Sequence, residues 1–420
     1  MDKIDKLFLE ALKAALQNER VQWDIELSPQ EWIKLFRMAE IHHVLPMIFE
    51  AVFACPSANK TDSELFAPVR RKTIRQVMLQ TVKTTEFLQL YKNLQAAGVK
   101  PLMIKGIICR ELYPKPDHRL SGDEDMLILP EQFALCHRIM LDNDMAVLEG
   151  ESNVDIERAY EVPYGKKGSP TYIELHKYLF PPESEAYGDL NRFFSRAHED
   201  AVEIPIQGVP VATLEYTSHL FYLICHAFKH FLHSGFGIRQ VCDIVIFANV
   251  YGTKVDWNHL LEECRAIRAE RFAAALFSIG QKYLTFSPES ACYPEIWSGI
   301  SVDESALLQD LLSGGIYGSA NMSRKHSSNI TLNAVSAEKK GKHAGGNILK
   351  VIFPPLDRMQ GRYPYLKKCP FLLPAAWVSR LLTYRKEVSA GGENNAADSI
   401  RIGNERIELM RQYGIIGKEK

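Results

Sequence analysis

Residues 122–129 read Gly-Asp-Glu-Asp-Met-Leu-Ile-Leu, a short acidic segment followed directly by an apolar run. The apolar run predicts a buried β-strand, and alternate residues of a strand point to the same face. Asp123 and Asp125 are therefore expected to project together, while Glu124 points to the opposite face. Two carboxylates at that spacing can share hard divalent cations, which prefer oxygen ligands and leave positions for phosphate oxygens. The segment predicts a metal-phosphate site at the head of a strand.

An Asp-x-Asp pair before a strand is also typical of a solvated turn, so the neighbouring motifs matter. Residues 172–176, Tyr-Ile-Glu-Leu-His, predict a second short strand that places Glu174 and His176 on one face. Upstream of the pair are residues that could neutralise or approach phosphate groups: Lys105, Gly106, Arg119 and Ser121. Three carboxylates on two strands, with cations and a glycine turn nearby, favour a catalytic centre over a turn.

The order of these motifs resembles the uncharacterised branch of the nucleotidyltransferase superfamily of the DNA polymerase β type. The matching pattern is Lys-Gly, Leu-Tyr-Pro, Arg-x-x-x-Asp-x-Asp and a strand with Glu-x-His, over residues 100–178 and more loosely to about residue 268. Members of that superfamily use a glycine-containing turn, an Asp-x-Asp pair and a third carboxylate on a neighbouring strand. They usually carry Gly-Gly or Gly-Ser after the first strand, whereas this chain has Lys-Gly-Ile at residues 105–107.

The resemblance implies a metal-dependent transfer of a nucleoside monophosphate from a nucleoside triphosphate to an acceptor, with release of pyrophosphate. Asp123, Asp125 and Glu174 would be both the catalytic residues and the ligands of two Mg²⁺ or Mn²⁺ ions about 4 Å apart. Glu174 could also accept the proton of the acceptor. The nucleotide phosphates would be met by four residues of the upstream segment: Lys105, Gly106, Arg119 and Ser121.

Because three carboxylates repel one another without metal, we expect Asp125→Asn to abolish catalysis while leaving the metal-free fold equally or more stable.

Residues 213–235 predict a helix on which His219, His226, His230 and His233 share one face. Histidine pairs four residues apart can chelate zinc, but they can also line a polar groove. The family resemblance extends over this segment and implies an acceptor side of the cleft. The residues assigned to it are His176, His226, His230, Arg239 and Asp243.

The composition of the 420 residues excludes little. Lysine and arginine total 50 against 51 acidic residues, so the net charge of −1 does not require nucleic acid or an anionic membrane as a partner. No apolar run reaches the length of a membrane span, and the start of the chain does not resemble a signal peptide. The eight cysteines contain no Cys-x-x-Cys pair, which favours reduced, buried thiols in a cytoplasmic protein.

The patterns predict an α/β (α+β) fold, a nucleotidyltransferase-type mixed sheet with helices on one face, flanked by helical regions at both ends. Five segments are expected: 1–98, an N-terminal helical region; 99–210, the α/β core; 211–313, a helical domain completing the cleft; 314–346, a mobile loop; and 347–420, a C-terminal helical segment.

Two other functions fit the sequence. A metal-dependent phosphohydrolase would use the histidine-rich helix for ligands, and a nucleotide-binding module would keep the fold without catalysis. The acceptor of a transferred nucleotide could be a small molecule, a protein or RNA, and its chemical group a hydroxyl or a phosphate. The sequence does not indicate an oligomeric state.

Overall fold

The structure is a computed structural model, and it describes residues 1–61, 63–148, 155–315, 322–341, 353, 356–360, 363–390 and 396–417.

The N-terminal region is helical, as its apolar periodicity predicts. Asp2 and Ser28 each begin a helix with a reciprocal capping box, in which their side chains accept the backbone N–H three residues on. Gly98 follows the longest helix with a φ of 82°, a conformation that favours glycine. The helices are α1 (Lys3–Leu16), α2 (Pro29–Ile41), α3 (Leu45–Val52), α4 (Pro56–Asn59) and α5 (Ser63–Ala96).

The described residues contain a mixed seven-stranded sheet, which confirms the predicted α/β class, although helices cover both faces of the sheet and not one face as predicted. Its strands are β1 (Leu102–Met103), β2 (Glu124–Leu127), β3 (Met145–Val147), β4 (Glu161–Lys166), β5 (Tyr172–His176), β6 (Val202–Ile206) and β7 (Val209–Thr213). Their order in the sheet is β3-β4-β5-β2-β1-β7-β6. The pairs β2–β5 and β1–β7 are parallel and the others antiparallel. Helices α6 (Gly106–Glu111) and α7 (Phe133–Asp142) follow β1 and β2.

The hairpin of β6 and β7 is absent from the sequence-based assignment, which ended the core at residue 210, inside β7. Gln207 and Gly208, between the two strands, both have positive φ, 47° and 79°. This is the two-residue turn that matches the twist of paired strands. The alternating residues on either side of Gln-Gly are a local signal that could have predicted the hairpin.

The two faces of the sheet have different partners. One face packs on α5 and α7 in a continuous core that includes Phe87, Tyr91, Met126, Cys136 and Ile173. On the other face, Leu102 and Leu127 join the larger core formed with the helices that follow the sheet. These helices are α8 (Tyr216–His233), α9 (Ile238–Tyr251), α10 (Trp257–Ala266), α11 (Glu270–Tyr283), α12 (Glu295–Ser298) and α13 (Ser305–Gly314).

The predicted mobile loop at residues 314–346 is wrong over most of its described length, because Met322–Lys339 forms a helix, α14. Its hydroxyl groups bond to backbone carbonyls, Ser327 to Arg324 and Thr331 to His233, and Ile330 and Val335 are buried. Tertiary packing thus overrides a composition that disfavours helix. Residues 316–321 and 342–346 lie outside the described residues.

The C-terminal helices are α15 (Leu356–Met359), α16 (Leu373–Ala390) and α17 (Ala396–Gln412). α14 packs against α17 and α8. Residues 391–399 read Gly-Gly-Glu-Asn-Asn-Ala-Ala-Asp-Ser, a composition that predicts a linker. The last four of these residues begin α17, and the first five lie outside the described residues. Six short 3-10 helices occur in the described chain: Pro116–His118, Pro130–Gln132, Gly188–Phe194, Gly252–Lys254, Pro364–Lys367 and Pro370–Leu372. Among the described residues, no helix combines the length and apolarity needed to cross a membrane.

Candidate active site

The sheet brings two of the predicted carboxylates side by side. Asp125 on β2 and Glu174 on the parallel strand β5 are Cα partners, so their side chains leave the same face in the same row. Asp125 is 2% exposed, whereas the side chain of Glu174 keeps 25% of its surface. Asp123 precedes β2 and its side chain is 17% exposed. The arrangement is a carboxylate cluster in which Asp125 is buried and both Asp123 and Glu174 are partly exposed.

Glu124 points to the opposite face, as the strand alternation predicts. Its carboxylate pairs with Arg110 and accepts the backbone N–H of Ile107 at 2.7 Å, in the first turn of α6. Gly106 has a φ of 24°, and a Cβ there would overlap this carboxylate. The glycine therefore makes room for Glu124, and the amide that follows it is already engaged by the protein itself.

Lys105, at the end of β1, lies inside the carboxylate cluster. Its Nζ is 2.9 Å from Asp125 Oδ2, 3.9 Å from Asp123 Oδ2 and 3.2 Å from His226 Nε2. Burial raises the pKa of Asp125, but the charges of Lys105 and His176 outweigh it and hold that pKa below its usual value. The expectation that Asp125 destabilises the metal-free fold is thus wrong, because the protein supplies its counter-charges.

His176 lies between carboxylates on two sides. Its Nε2 is 3.3 Å from Asp125 Oδ1 and 3.7 Å from Glu174 Oε2, and its Nδ1 is 3.7 Å from Glu161 Oε2. Burial lowers the pKa of His176, but the contacts with Asp125 and Glu174 raise it to about 9. In the absence of metal the ring is therefore an imidazolium at neutral pH.

Glu174 is the carboxylate best suited to accept a proton. Burial raises its pKa, and the charges of Asp125 and Asp123 add to the effect, while His176 opposes it. Burial and the neighbouring Glu174 also raise the pKa of Tyr172 to about 12. A raised carboxylate pKa places the group nearer to the pH at which general bases work.

The donor atoms fit a divalent cation. Asp125, Glu174 and His176 each offer one ligand atom, and these atoms lie within 4.8 Å of one another. Within the described part of the chain, both nitrogens of His176 are buried without a hydrogen bond of normal geometry, while Asp125 Oδ2 is paired with Lys105. Asp123 lies outside this convergent group. The convergent set therefore contains a nitrogen donor where the sequence predicted a third carboxylate.

The histidine face of α8 meets the carboxylate cluster at His226. His226 contacts Lys105, and His230 Nε2 is 3.3 Å from His226 Nε2. Burial, with the charge of Lys105, lowers the pKa of His226 well below its usual value. His219 instead contacts Thr213, on β7. Among the described residues, the convergent metal-ligand set found on β2 and β5 contains no histidine of this helix, which weakens the zinc interpretation.

Three predicted site residues, Arg119, Arg239 and Asp243, form buried contacts beside the centre. Arg119 Nη2 and Nε donate to Asp243 at 2.6 and 3.1 Å, and Tyr113 Oη donates to the same carboxylate at 2.7 Å. Arg239 donates to the backbone carbonyl of Leu120. Arg119 is 2% exposed, so its guanidinium is committed to Asp243 and does not face a phosphate site.

Ser121 is also committed to the protein. Its hydroxyl donates to Glu124 at 3.0 Å and accepts from Arg110 at 2.8 Å. The assignment of Arg119 and Ser121 to nucleotide phosphates is therefore not supported by their contacts. Together with Arg239 and Asp243 they hold the segment that leads into Asp123.

Two lysines near the centre, Lys229 and Lys83, were not predicted as site residues. Burial lowers the pKa of Lys229, and the charges of Glu161, Asp125 and Glu174 oppose that shift. Lys229 follows His226 by three residues, so its helical spacing was a usable signal. Lys83 donates to the carbonyls of Ser121 and Gly122 at 2.9 and 2.6 Å.

His43 comes from the end of α2, and no local pattern connects it with the strand. Burial and the charge of Arg239 lower its pKa to about 4, and Asp123 opposes them. His43 and Lys83 both line a cavity of about 580 Å³ beside Gly122. Because Gly122 precedes Asp123, this cavity lies beside the carboxylate cluster.

A mixed sheet with an Asp-x-Asp strand, a parallel partner strand carrying a glutamate and a lysine at the preceding strand end defines a nucleotidyltransferase-type centre. The model of a family described as uncharacterised nucleotidyltransferase matches residues 28–285, more than half of the chain. The chain belongs to this family. The match runs from the start of α2 past the end of α11, so the family unit includes the helices on both sides of the sheet. No curated protein matches the chain significantly.

Proposed function

We propose that the protein transfers a nucleoside monophosphate from a nucleoside triphosphate to a hydroxyl or phosphate acceptor, with a divalent metal ion and release of pyrophosphate. The observation that carries the proposal is the pairing of Asp125 with Glu174 across parallel strands, with the partly exposed Asp123 two residues before Asp125. The family membership supports nucleotidyl transfer in general.

A divalent cation at this centre would neutralise phosphate charge and lower the pKa of the acceptor hydroxyl. Asp125 is the buried ligand, and Asp123 and Glu174 are the partly exposed carboxylates that an entering triphosphate and acceptor would meet. Glu174, with its raised pKa, takes the proton of the acceptor as the new bond to the α-phosphorus forms. The leaving pyrophosphate carries away the electrons of the broken P–O bond.

Lys105 and Lys229 are the side chains that meet the phosphates. Both ammonium groups experience the charges of the same carboxylates, and Lys105 contacts two of them. When a cation neutralises the carboxylates, these lysines become available to the negative charge of the triphosphate. His226 Nε2 contacts the ammonium group of Lys105 on its other side, and this contact fixes the position of the lysine.

The test is pyrophosphate release by the full chain with ATP, GTP, CTP and UTP, in Mg²⁺ and in Mn²⁺, with a mixture of metabolites, peptides and RNA as acceptors. Asp123→Asn is expected to reduce release by about 100-fold or more, since it removes a ligand on which transition-state charge depends. A matched control is Asp117→Asn, an aspartate on the 3-10 helix Pro116–His118 whose carboxylate accepts from Thr81. Calorimetry that detects no binding of any triphosphate with millimolar metal would refute the proposal.

The same assay separates the alternatives. A binding module would bind a triphosphate without releasing pyrophosphate. A phosphohydrolase would release product at full rate without an acceptor and would depend on His226 and His230.

A further inference from the structure

His176 is held where two rows of the sheet meet. It is the Cα partner of Leu127 on one side and of Glu161 on the other, while Asp125 and Glu174 occupy the next row. Cross-strand partners on one face contact each other, and diagonal neighbours remain within reach of a long side chain. The imidazole therefore lies between Glu161 at Nδ1 and the pair Asp125 and Glu174 at Nε2.

The ring is buried but incompletely bonded. His176 is 4% exposed, and among the described residues neither of its nitrogens has a hydrogen bond of normal geometry. Buried polar atoms are nearly always paired, so such an atom requires an explanation, for which a missing ion is one. Asp125 Oδ2, in the same cluster, is also buried, and Lys105 Nζ lies 2.9 Å from it. His176 Nε2 therefore faces Asp125 and Glu174 without a complete hydrogen bond, and the three residues offer ligand atoms within 4.8 Å of one another.

Glu161 is the carboxylate beside the other ring nitrogen, with its Oε2 3.7 Å from Nδ1. A histidine that binds a metal commonly presents its other nitrogen to a carboxylate, which fixes the ring and increases its basicity. The order Glu161, His176, then the carboxylates of Asp125 and Glu174 has this form.

We propose that His176 Nε2 is a direct ligand of the catalytic cation, that Glu161 positions the ring, and that the centre therefore selects a first-row transition ion such as Mn²⁺ over Mg²⁺. Imidazole nitrogen favours transition metals, whereas an all-oxygen set suits Mg²⁺. Mn²⁺ also accepts the carboxylates of Asp125 and Glu174. The inference rests on the proposed function only for the presence of a cation, and it requires neither a nucleotide nor an acceptor.

The first experiment uses the wild-type full chain with Mn²⁺ alone. Pulsed electron paramagnetic resonance is expected to detect coupling of the bound Mn²⁺ to one ¹⁴N nucleus of an imidazole. Calorimetry is expected to give a dissociation constant for Mn²⁺ at least about tenfold lower than for Mg²⁺. This measurement does not depend on the folding of any variant.

The second experiment compares three variants after their melting curves are recorded. His176→Gln is expected to lose the nitrogen coupling and about 10- to 100-fold in Mn²⁺ affinity, with little change for Mg²⁺. Glu161→Gln is expected to keep the coupling and to lose a smaller part of the affinity. The matched control is His198→Gln, because both nitrogens of His198 also lack a hydrogen bond in the described chain, while its charged neighbours are Glu131 and Lys100. The control should bind Mn²⁺ like wild type.

Bound Mn²⁺ without nitrogen coupling, or equal Mn²⁺ affinities of wild type and His176→Gln, would overturn the inference. Pyrophosphate release supported by Mg²⁺ in a protein without nitrogen coupling leaves the proposed function intact and refutes only the ligand. Nitrogen coupling in a protein that releases no pyrophosphate with any triphosphate would support the histidine ligand and refute the proposed function.

Discussion

The substitution Asp125→Asn tests whether the charge of Asp125 stabilises the fold as well as serving catalysis. The carboxylate is 2% exposed and contacts two cationic side chains, Lys105 at 2.9 Å and His176 at 3.3 Å. The substitution preserves shape and removes the charge. Without metal, it leaves a buried ammonium group without its counter-charge.

The expected loss of stability follows from that burial. Removing one partner of a buried ion pair costs about 3–5 kcal/mol, because the remaining charge is uncompensated. We expect a value near the lower limit, about 3 kcal/mol, because His176 can lose its proton once Asp125 is neutral. A carboxyl pKa held below its usual value means stability that is present above the unfolded pKa and lost as the pH falls. The difference between wild type and variant should therefore be largest near neutral pH and shrink as the pH falls below about 4.

The assay is urea unfolding in EDTA at pH 7.5, with pyrophosphate release measured on the same preparations. Asp123→Asn is the matched control, since Asp123 is more exposed and its nearest ammonium group is 3.9 Å away. Its stability should change by less than about 1 kcal/mol, although both variants lose activity. If Asp125→Asn is as stable as wild type without metal, Lys105 and His176 do not act as its counter-charges, and the electrostatic account is wrong.

Three further predictions follow from described contacts. Gly106→Ala should lower the melting temperature by several degrees, because a Cβ overlaps the buried Glu124 carboxylate; an unchanged melting curve would show that this turn relaxes freely. Burial lowers the pKa of His42 to about 4, so on acidification the unfolded chain binds a proton at a higher pH than the folded protein does, and the free energy of unfolding falls. This residue alone should cost about 2 kcal/mol of stability between pH 7.5 and 5. His42→Gln should therefore reduce the pH dependence of urea unfolding. Lys229→Met should raise the KM for the triphosphate about tenfold in the pyrophosphate assay, and an equal KM would remove Lys229 from the phosphate site.

The sequence predicted those parts of the structure that depend on local periodicity. The opposite directions of Asp125 and Glu124 and the strand with Glu174 follow from spacing along the chain. The partners of Arg119 could not be predicted in this way, because Asp243 lies 124 residues later and only the packed fold joins them.

Tertiary context also explains the largest error. A segment rich in serine, asparagine and lysine predicts a loop, but Met322–Lys339 is helical where α8 and α17 provide a surface for its apolar residues. The counter-charge of Asp125 by Lys105 was likewise invisible, since it depends on how β1 and β2 lie beside each other.

Because Glu124 occupies a backbone amide in the first turn of α6, lysine side chains are the expected targets of reagents that inactivate the protein. Because the amide of Ile107 already holds a carboxylate, it is not available to a phosphate, and in the proposed function Lys105 and Lys229 take that role. Burial lowers the pKa of Lys229, which increases the fraction of uncharged, nucleophilic amine at neutral pH. Amine-acylating reagents should therefore label Lys229 ahead of the exposed lysines. A bound nucleotide would protect it, so the labelled peptide would mark the phosphate site by mass spectrometry before any acceptor is known.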